Sequence, residues 1–307
     1  MAFAPRPRFV WQLRSRSLEL GERTRLMAII NLTPDSFSGD GHLINRAAGQ
    51  KLALAAAVDA LDGGADILDL GAESTRPNAT PLSSTEEQAR LLPVLEALLR
   101  ERPAAVVSVD TYHAATAQAA LDAGAEIVND VSGLTWDEDM GGTVAARPCG
   151  LVLMQTRGRP SEWASQPRLR EEEVIPTVFA GLMEQLSLAE SMGIADERIV
   201  IDPGFGFGKR GRENFALLAG LSRLHELGRP LLAGLSRKGF LGEAVSGLQP
   251  SGVTAAEARR TPTVAANAGA ILAGAHVLRV HDLQAAREAA AVADAILAAS
   301  GDDGGDE

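Results

Sequence analysis

The chain has 307 residues, 46% of them hydrophobic and 22% charged, with a formal net charge of −11 and one cysteine, Cys149. That length builds a large core without staples, and a lone cysteine excludes a disulfide framework or a multi-cysteine zinc site. The acidic balance and the 4% aromatic content argue against a general nucleic-acid surface or a base-stacking platform, but leave room for a local cationic pocket that binds a small anion.

Arg6 and Arg8 near the start are followed by no apolar stretch of signal-peptide type, and no run reaches the roughly 18 apolar residues of a membrane span. A cytoplasmic chain is expected. Residues 1–22 read as an N-terminal hairpin, paired over 9–20 and plugging the bottom of a barrel that occupies 23–299. Short apolar runs then recur at 26–31, 67–70, 106–110, 127–130, 151–155, 199–202, 231–234 and 276–279. Continuous runs of this kind suit parallel strands buried on both faces. Ala-rich stretches with helical spacing lie between them, at 47–61, 84–99, 114–123, 176–192, 213–227 and 261–273, with a last one at 283–298. Several end in glycine, as helix C-termini do. Strand–helix units repeated in this way predict an α/β fold of the (β/α)8 TIM-barrel class, in a single domain, with an open doubly wound sheet as the rival. Residues 300–307, rich in Gly and Asp, read as a disordered acidic tail.

A barrel of this class places its chemistry where strands end. Here the runs end in or are followed by Asn31, Glu73 with Arg76, Asp110, Asn129 with Asp130, Gln155, Asp202, Ser236-Arg237-Lys238, and Arg279 with His281. Asp, Asn and Ser at such places are also ordinary helix caps. That explanation does not extend to Arg76, Lys238 and Arg279. The glycine-rich run 202–209 allows close backbone approach to a flat ligand. It is not a phosphate-binding P-loop, because one residue of the spacing is missing and Arg210 stands where Ser or Thr is needed. Cys149, Trp11, Trp136 and Trp163 read as packing residues, and Glu171-Glu172-Glu173 as a solvated helix start.

The segments NLTPDSFSGDG, GAESTRP, SVDT, IVND, IDPGFGFGK, GLSRKGF and RVHD, in this order from residue 27 to 282, resemble the dihydropteroate synthase family of folate biosynthesis. The resemblance implies a transferase that joins 4-aminobenzoate to a dihydropterin-methyl diphosphate and releases diphosphate. It implies pterin binding by Asp110, Asn129, Met154, Asp202, Phe207, Gly234 and Lys238, with Lys238 also expected to neutralise Asp202. It implies diphosphate binding by Asn31, Thr75, Arg76, Arg279 and His281, with Asn31 holding Mg²⁺. Phe37, Pro77, Phe207, Ser236 and Arg237 are implied around aminobenzoate, so that sulfonamides compete there. A homodimer through the late helices is implied as well. Two departures stand out: Gln155 follows Met154 where the family usually has His, and Asn78 stands where Gly is usual. A methyltetrahydrofolate-type methyltransferase barrel would share the pterin acceptors but has no need of Arg76, Lys238 and the Arg279/His281 pair. A pterin-binding paralogue without catalysis would find its support in Gln155 alone.

Overall fold

The computed structural model describes residues 3–32, 46–73, 81–249 and 252–301. The chain opens with an antiparallel hairpin, β1 (Phe9–Gln12) and β2 (Ser17–Leu20). Eight parallel strands follow: β3 (Arg25–Asn31), β4 (Ile67–Gly71), β5 (Val107–Asp110), β6 (Ile127–Asp130), β7 (Gly150–Met154), β8 (Ile199–Asp202), β9 (Leu232–Ala233) and β10 (Val277–Val280). Their order around the sheet is β8-β7-β6-β5-β4-β3-β10-β9. A bridge between Ile201 and Leu231 joins the two ends and closes the barrel.

The helices stand outside it: α1 (Arg46–Asp62), α2 (Ser84–Glu101), α3 (Ala114–Asp122), α4 (Met140–Ala145), α5 (Glu171–Ser191), α6 (Arg212–Ala219), α7 (Gly239–Ala244), α8 (Arg260–Leu272) and α9 (Leu283–Gly301). No helix among the described residues is long and apolar enough to cross a membrane.

Alternation along each strand sorts its side chains between two cores. Leu26, Leu68, Val107, Val128, Leu151, Ile199, Ala233 and Leu278 pack outward into the main core beneath the helices. Met27, Ile67, Val106, Ile127, Val152, Val200, Leu232 and Val277 form a separate layer inside the barrel. That layer is closed from below by Trp11, Leu13 and Leu20 of the hairpin. Trp11 is fully buried, and its Nε1 donates to the Arg198 carbonyl at 2.8 Å. The plug predicted for 9–20 is therefore present, and the hydrophobic effect seats it.

Helix α5 begins at Glu171, the helix start read from Glu171-Glu172-Glu173 and ahead of the helical spacing at 176–192, because Glu173 reaches back to the Arg170 amide and three acids favour the first turn. Two other helices depart from the sequence expectation. The stretch 213–227 is α6 followed by a 3₁₀ segment, Leu221–Leu227, with the break at Gly220. A Cβ on Gly220 would lie 2.4 Å from Cγ1 of Ile175. The short helices α4 and α7 carry too few turns to show periodicity. Helix α9 runs through positions 300 and 301, which were assigned to the tail; residues 302–307 lie outside the described ones.

Candidate active site

Two residues above the apolar interior layer, the same alternation turns a ring of polar side chains into the upper barrel. Asp69, Ser108, Asn129, Asp202 and Arg279 are its polar members, with Ile29, Met154 and Gly234 at the same level and Asn31, Gly71 and Asp110 above it. Strand β10 is separated from β4 by β3, and from β5 by β3 and β4. Arg279 nevertheless reaches Asp69 through Nε at 2.6 Å and Asp110 through Nη2 at 2.5 Å, a contact that only the barrel interior permits. Asp69 also accepts from Nδ2 of Asn129 at 3.0 Å. This fixes the Asn129 amide, so that its acceptor oxygen points away from Asp69. Burial pushes the Asp110 carboxyl up to about 7 against the pull of Arg279. Burial alone would lower Arg279, but Asp69 and Asp110 outweigh it and hold the guanidinium above its ordinary value.

Sequence reasoning did not single out Asp69. It is fully buried, and Oδ1 has no hydrogen-bond partner among the described residues. The available signal was an acid inside the run Ile67-Leu68-Asp69-Leu70, in phase with the interior-facing Ile67.

The β7–β8 side supplies a flatter, more apolar wall. Met154, Phe207, Trp163 and Val131 form a small buried cluster, flanked by Tyr112 and Trp136. Trp163 meets Phe207 edge-on at 5.2 Å, and Nζ of Lys238 lies 4.1 Å from the centre of the Phe207 ring. Trp163 and Trp136, expected as packing residues, therefore pack at the mouth. Asp202 is buried, and Oδ1 accepts the Gly204 amide at 2.7 Å. The expected Lys238–Asp202 ion pair is not formed as a contact, since the ammonium is drawn over the Phe207 face instead. The two charges still interact: burial raises Asp202, with Lys238 opposing, and burial lowers Lys238 to about 8.

At the β9–β10 edge, a Cβ on Gly234 would meet Asp202 Oδ2 only at 3.8 Å, so that wall is open. The Ser236 hydroxyl accepts the His281 amide at 3.1 Å and lies 3.0 Å from its Nδ1. Ser236 thereby holds His281. Arg237 is exposed and has a left-handed backbone, φ 58°, with its amide on the Thr263 hydroxyl. At the β4 end, Glu73 accepts the Tyr112 hydroxyl at 2.6 Å, and its other oxygen is 3.3 Å from Nε2 of His113. Phe37, Thr75, Arg76, Pro77 and Asn78 lie outside the described residues.

Gln155 falls on the outward phase, away from the pocket. It is buried against α5, where a Cβ on Gly181 would come within 3.0 Å of its Cγ. Among the described residues no group of three His, Cys, Asp or Glu side chains is arranged to hold a metal. Asn31 offers one hard amide oxygen at the interior end of β3. That donor set fits Mg²⁺ only as an ion sharing its shell with phosphate oxygens and water.

A family described as pterin binding enzymes matches residues 27–281. A mitochondrial folate synthesis bifunctional protein from Pisum sativum is 38% identical over 291 residues, covering 91% of this chain and 55% of that one. The dihydropteroate synthase of a Synechocystis strain is 37% identical, covering 90% of this chain and 91% of its own length. The chain thus spans about half of the plant protein and most of the bacterial one. Among solved structures, Xanthomonas albilineans dihydropteroate synthase with 4-aminobenzoic acid superposes with a TM-score of 0.81 at 40% identity, covering 94% of this chain and 98% of that one. A Yersinia pestis dihydropteroate synthase in a sulfonamide drug complex gives 0.83 at 34% identity, covering 94% and 98% of the two chains.

Proposed function

The chain belongs to the pterin binding enzyme family, and from that membership we propose that it acts as a dihydropteroate synthase. It joins 4-aminobenzoate to (7,8-dihydropterin-6-yl)methyl diphosphate, giving 7,8-dihydropteroate and diphosphate. The observation that carries this reading is the convergence, inside one barrel mouth, of the acceptors Asp110, Asn129 and Asp202 with the cations Arg279 and Lys238.

A pterin presents a flat ring with a donor-rich edge. The acceptors receive that edge, and Met154 and Phe207 give the ring an apolar wall. Lys238 stays largely protonated at neutral pH, with its lowered value of about 8. It donates to the pterin and opposes the charge of the departing group. The C–O bond to diphosphate breaks, the methylene carbon becomes carbocation-like, and the aminobenzoate nitrogen attacks it and then loses a proton. Fixed positive groups near the leaving oxygens lower this barrier because they need no reorganisation.

Arg279 enters this scheme with Nε and Nη2 already directed at Asp69 and Asp110. Its main share is to hold Asp110 in place. His281, held by Ser236, and Arg76 then provide the remaining diphosphate contacts, with Thr75 beside Arg76. Asn31 would hold Mg²⁺ together with the diphosphate, and the ion would supply further charge neutralisation there. Aminobenzoate takes the outer part of the mouth, with Phe37, Pro77, Phe207, Ser236 and Arg237 around it. The enzyme is read as cytoplasmic and as a homodimer through its late helices. A sulfonamide tests the reading: it should raise the apparent KM for aminobenzoate and leave the maximal rate unchanged. Inhibition that does not respond to aminobenzoate would contradict it.

A further inference from the structure

Lys209 ends the glycine run after β8, and the chemistry above assigns it nothing. It is one of three lysines in the chain and is only 2% exposed. Its ammonium donates to three backbone carbonyls: Gly204 at 3.0 Å, and Gln155 and Phe207 at 3.3 Å each. The run can bend around it because Gly204, Gly206 and Gly208 have φ of 69°, 80° and 70°, a region other residues rarely enter. Space is equally restricted: a Cβ on Gly204 would lie 2.0 Å from the Gln155 carbonyl oxygen. Buried Asn214 holds the same turn from α6, accepting the Gly206 amide at 2.7 Å and donating to the Lys209 carbonyl at 3.0 Å.

Each carbonyl leads to a part of the pterin pocket. Gly204, whose oxygen meets Lys209, also gives its amide to the Asp202 carboxylate. Phe207 carries the ring beneath Lys238. Gln155 follows Met154 at the end of β7, and its amide pairs with the Asp202 carbonyl at 2.9 Å.

We propose, resting on the synthase reading, that Lys209 is a positioning residue: its ammonium ties the end of β7 to the turn after β8 and sets Met154, Asp202 and Phe207 at the spacing a pterin requires. A tetrahedral ammonium aims three N–H groups at three converging carbonyls, whereas the planar fork of arginine does not. Burial lowers Lys209 to about 7, with Asp202 as the main opposing charge, Arg157 and Lys238 adding to the lowering, and Glu213 resisting it.

The test compares Lys209→Met with the wild-type protein, after checking that the variant melts cooperatively. Expected are increases of about tenfold or more in the KM for the pterin diphosphate and in its calorimetric Kd. The kcat should change less than about threefold, the split produced by lost binding that is uniform between ground and transition states. A folded variant with a lower melting midpoint but unchanged pterin KM and Kd would reduce Lys209 to a structural residue and overturn the inference. Lys209→Arg keeps charge and donors without the tripod. If the methionine variant does not fold, the arginine variant should show the same selective rise in pterin KM, and wild-type values there would overturn the inference equally. A wild-type protein that releases no diphosphate contradicts the synthase reading itself, a result distinct from both.

Discussion

Asp69 and Arg279 are charges deep in a barrel, and each is tolerable because the other is present. An unpaired buried charge costs several kcal/mol, and breaking such a pair by removing one member is strongly destabilising. Asp69→Ala leaves Arg279 with Asp110 alone and frees the Asn129 amide to turn. Urea unfolding should show a loss of about 3 kcal/mol, with pterin affinity falling in parallel. A loss under about 1 kcal/mol would mean that the cluster relaxes without Asp69. The titrating groups also predict a pH profile. In the proposed reaction Asp110, raised to about 7, must be ionised to accept from the pterin, and Lys238, lowered to about 8, must be protonated to donate. The value of kcat/KM should therefore fall below about pH 7 as Asp110 gains a proton and fall again above about pH 8 as Lys238 loses one. A flat profile from pH 6 to pH 9 would contradict both assignments.

At the scale of strands and helices, the apolar runs were a sound guide because strands buried on both faces leave little else for the sequence to encode. The expected runs 127–130 and 199–202 coincide with β6 and β8. The run expected at 231–234 contributes only the two-residue β9, since the chain there is already turning toward Gly234 and Ser236. Helices failed where tertiary contact overrode periodicity, as at Gly220. Gly220→Ala forces a methyl against Ile175, 2.4 Å away before relaxation, and should lower stability by about 1–3 kcal/mol in a denaturant titration. No change would mean that α5 and α6 move apart freely. Within the site, residues that end strands were recognisable, whereas Asp69 was hidden inside one. The phase of Gln155 also places its departure from the family pattern away from the pocket: it faces α5. Which side chains pair with which could not be read in advance, because Arg279 meets Asp110 only once the barrel closes.

Across the whole molecule, the N-terminal segment straps the bottom of the barrel. Arg6 bonds Thr24, the Ala275 carbonyl and Asp294, and buried His276 bonds the Pro7 carbonyl. His276 Nδ1 accepts the Leu231 amide at 3.0 Å, so the proton sits on Nε2, which donates to Pro7 at 2.9 Å. Protonating Nδ1 would break the Leu231 bond. Burial lowers His276 to about 4, with the bond to Pro7 opposing and nearby His225 and Arg6 adding to the fall. The folded state therefore prefers neutral His276. Its contribution is complete above the unfolded value of about 6.5 and is lost as pH falls from there through about 4. The loss amounts to about 3 kcal/mol, and the part between pH 6.5 and pH 5 should disappear from the stability curve of His276→Gln. An unchanged slope in that variant would assign the acid sensitivity to other groups.

Diphosphate release from the purified protein tests the proposed synthase reaction most directly. With dihydropterin-methyl diphosphate and Mg²⁺ present, release should require 4-aminobenzoate and should be abolished in Lys238→Ala. Release that is indifferent to aminobenzoate, or that survives loss of Lys238, would contradict the account.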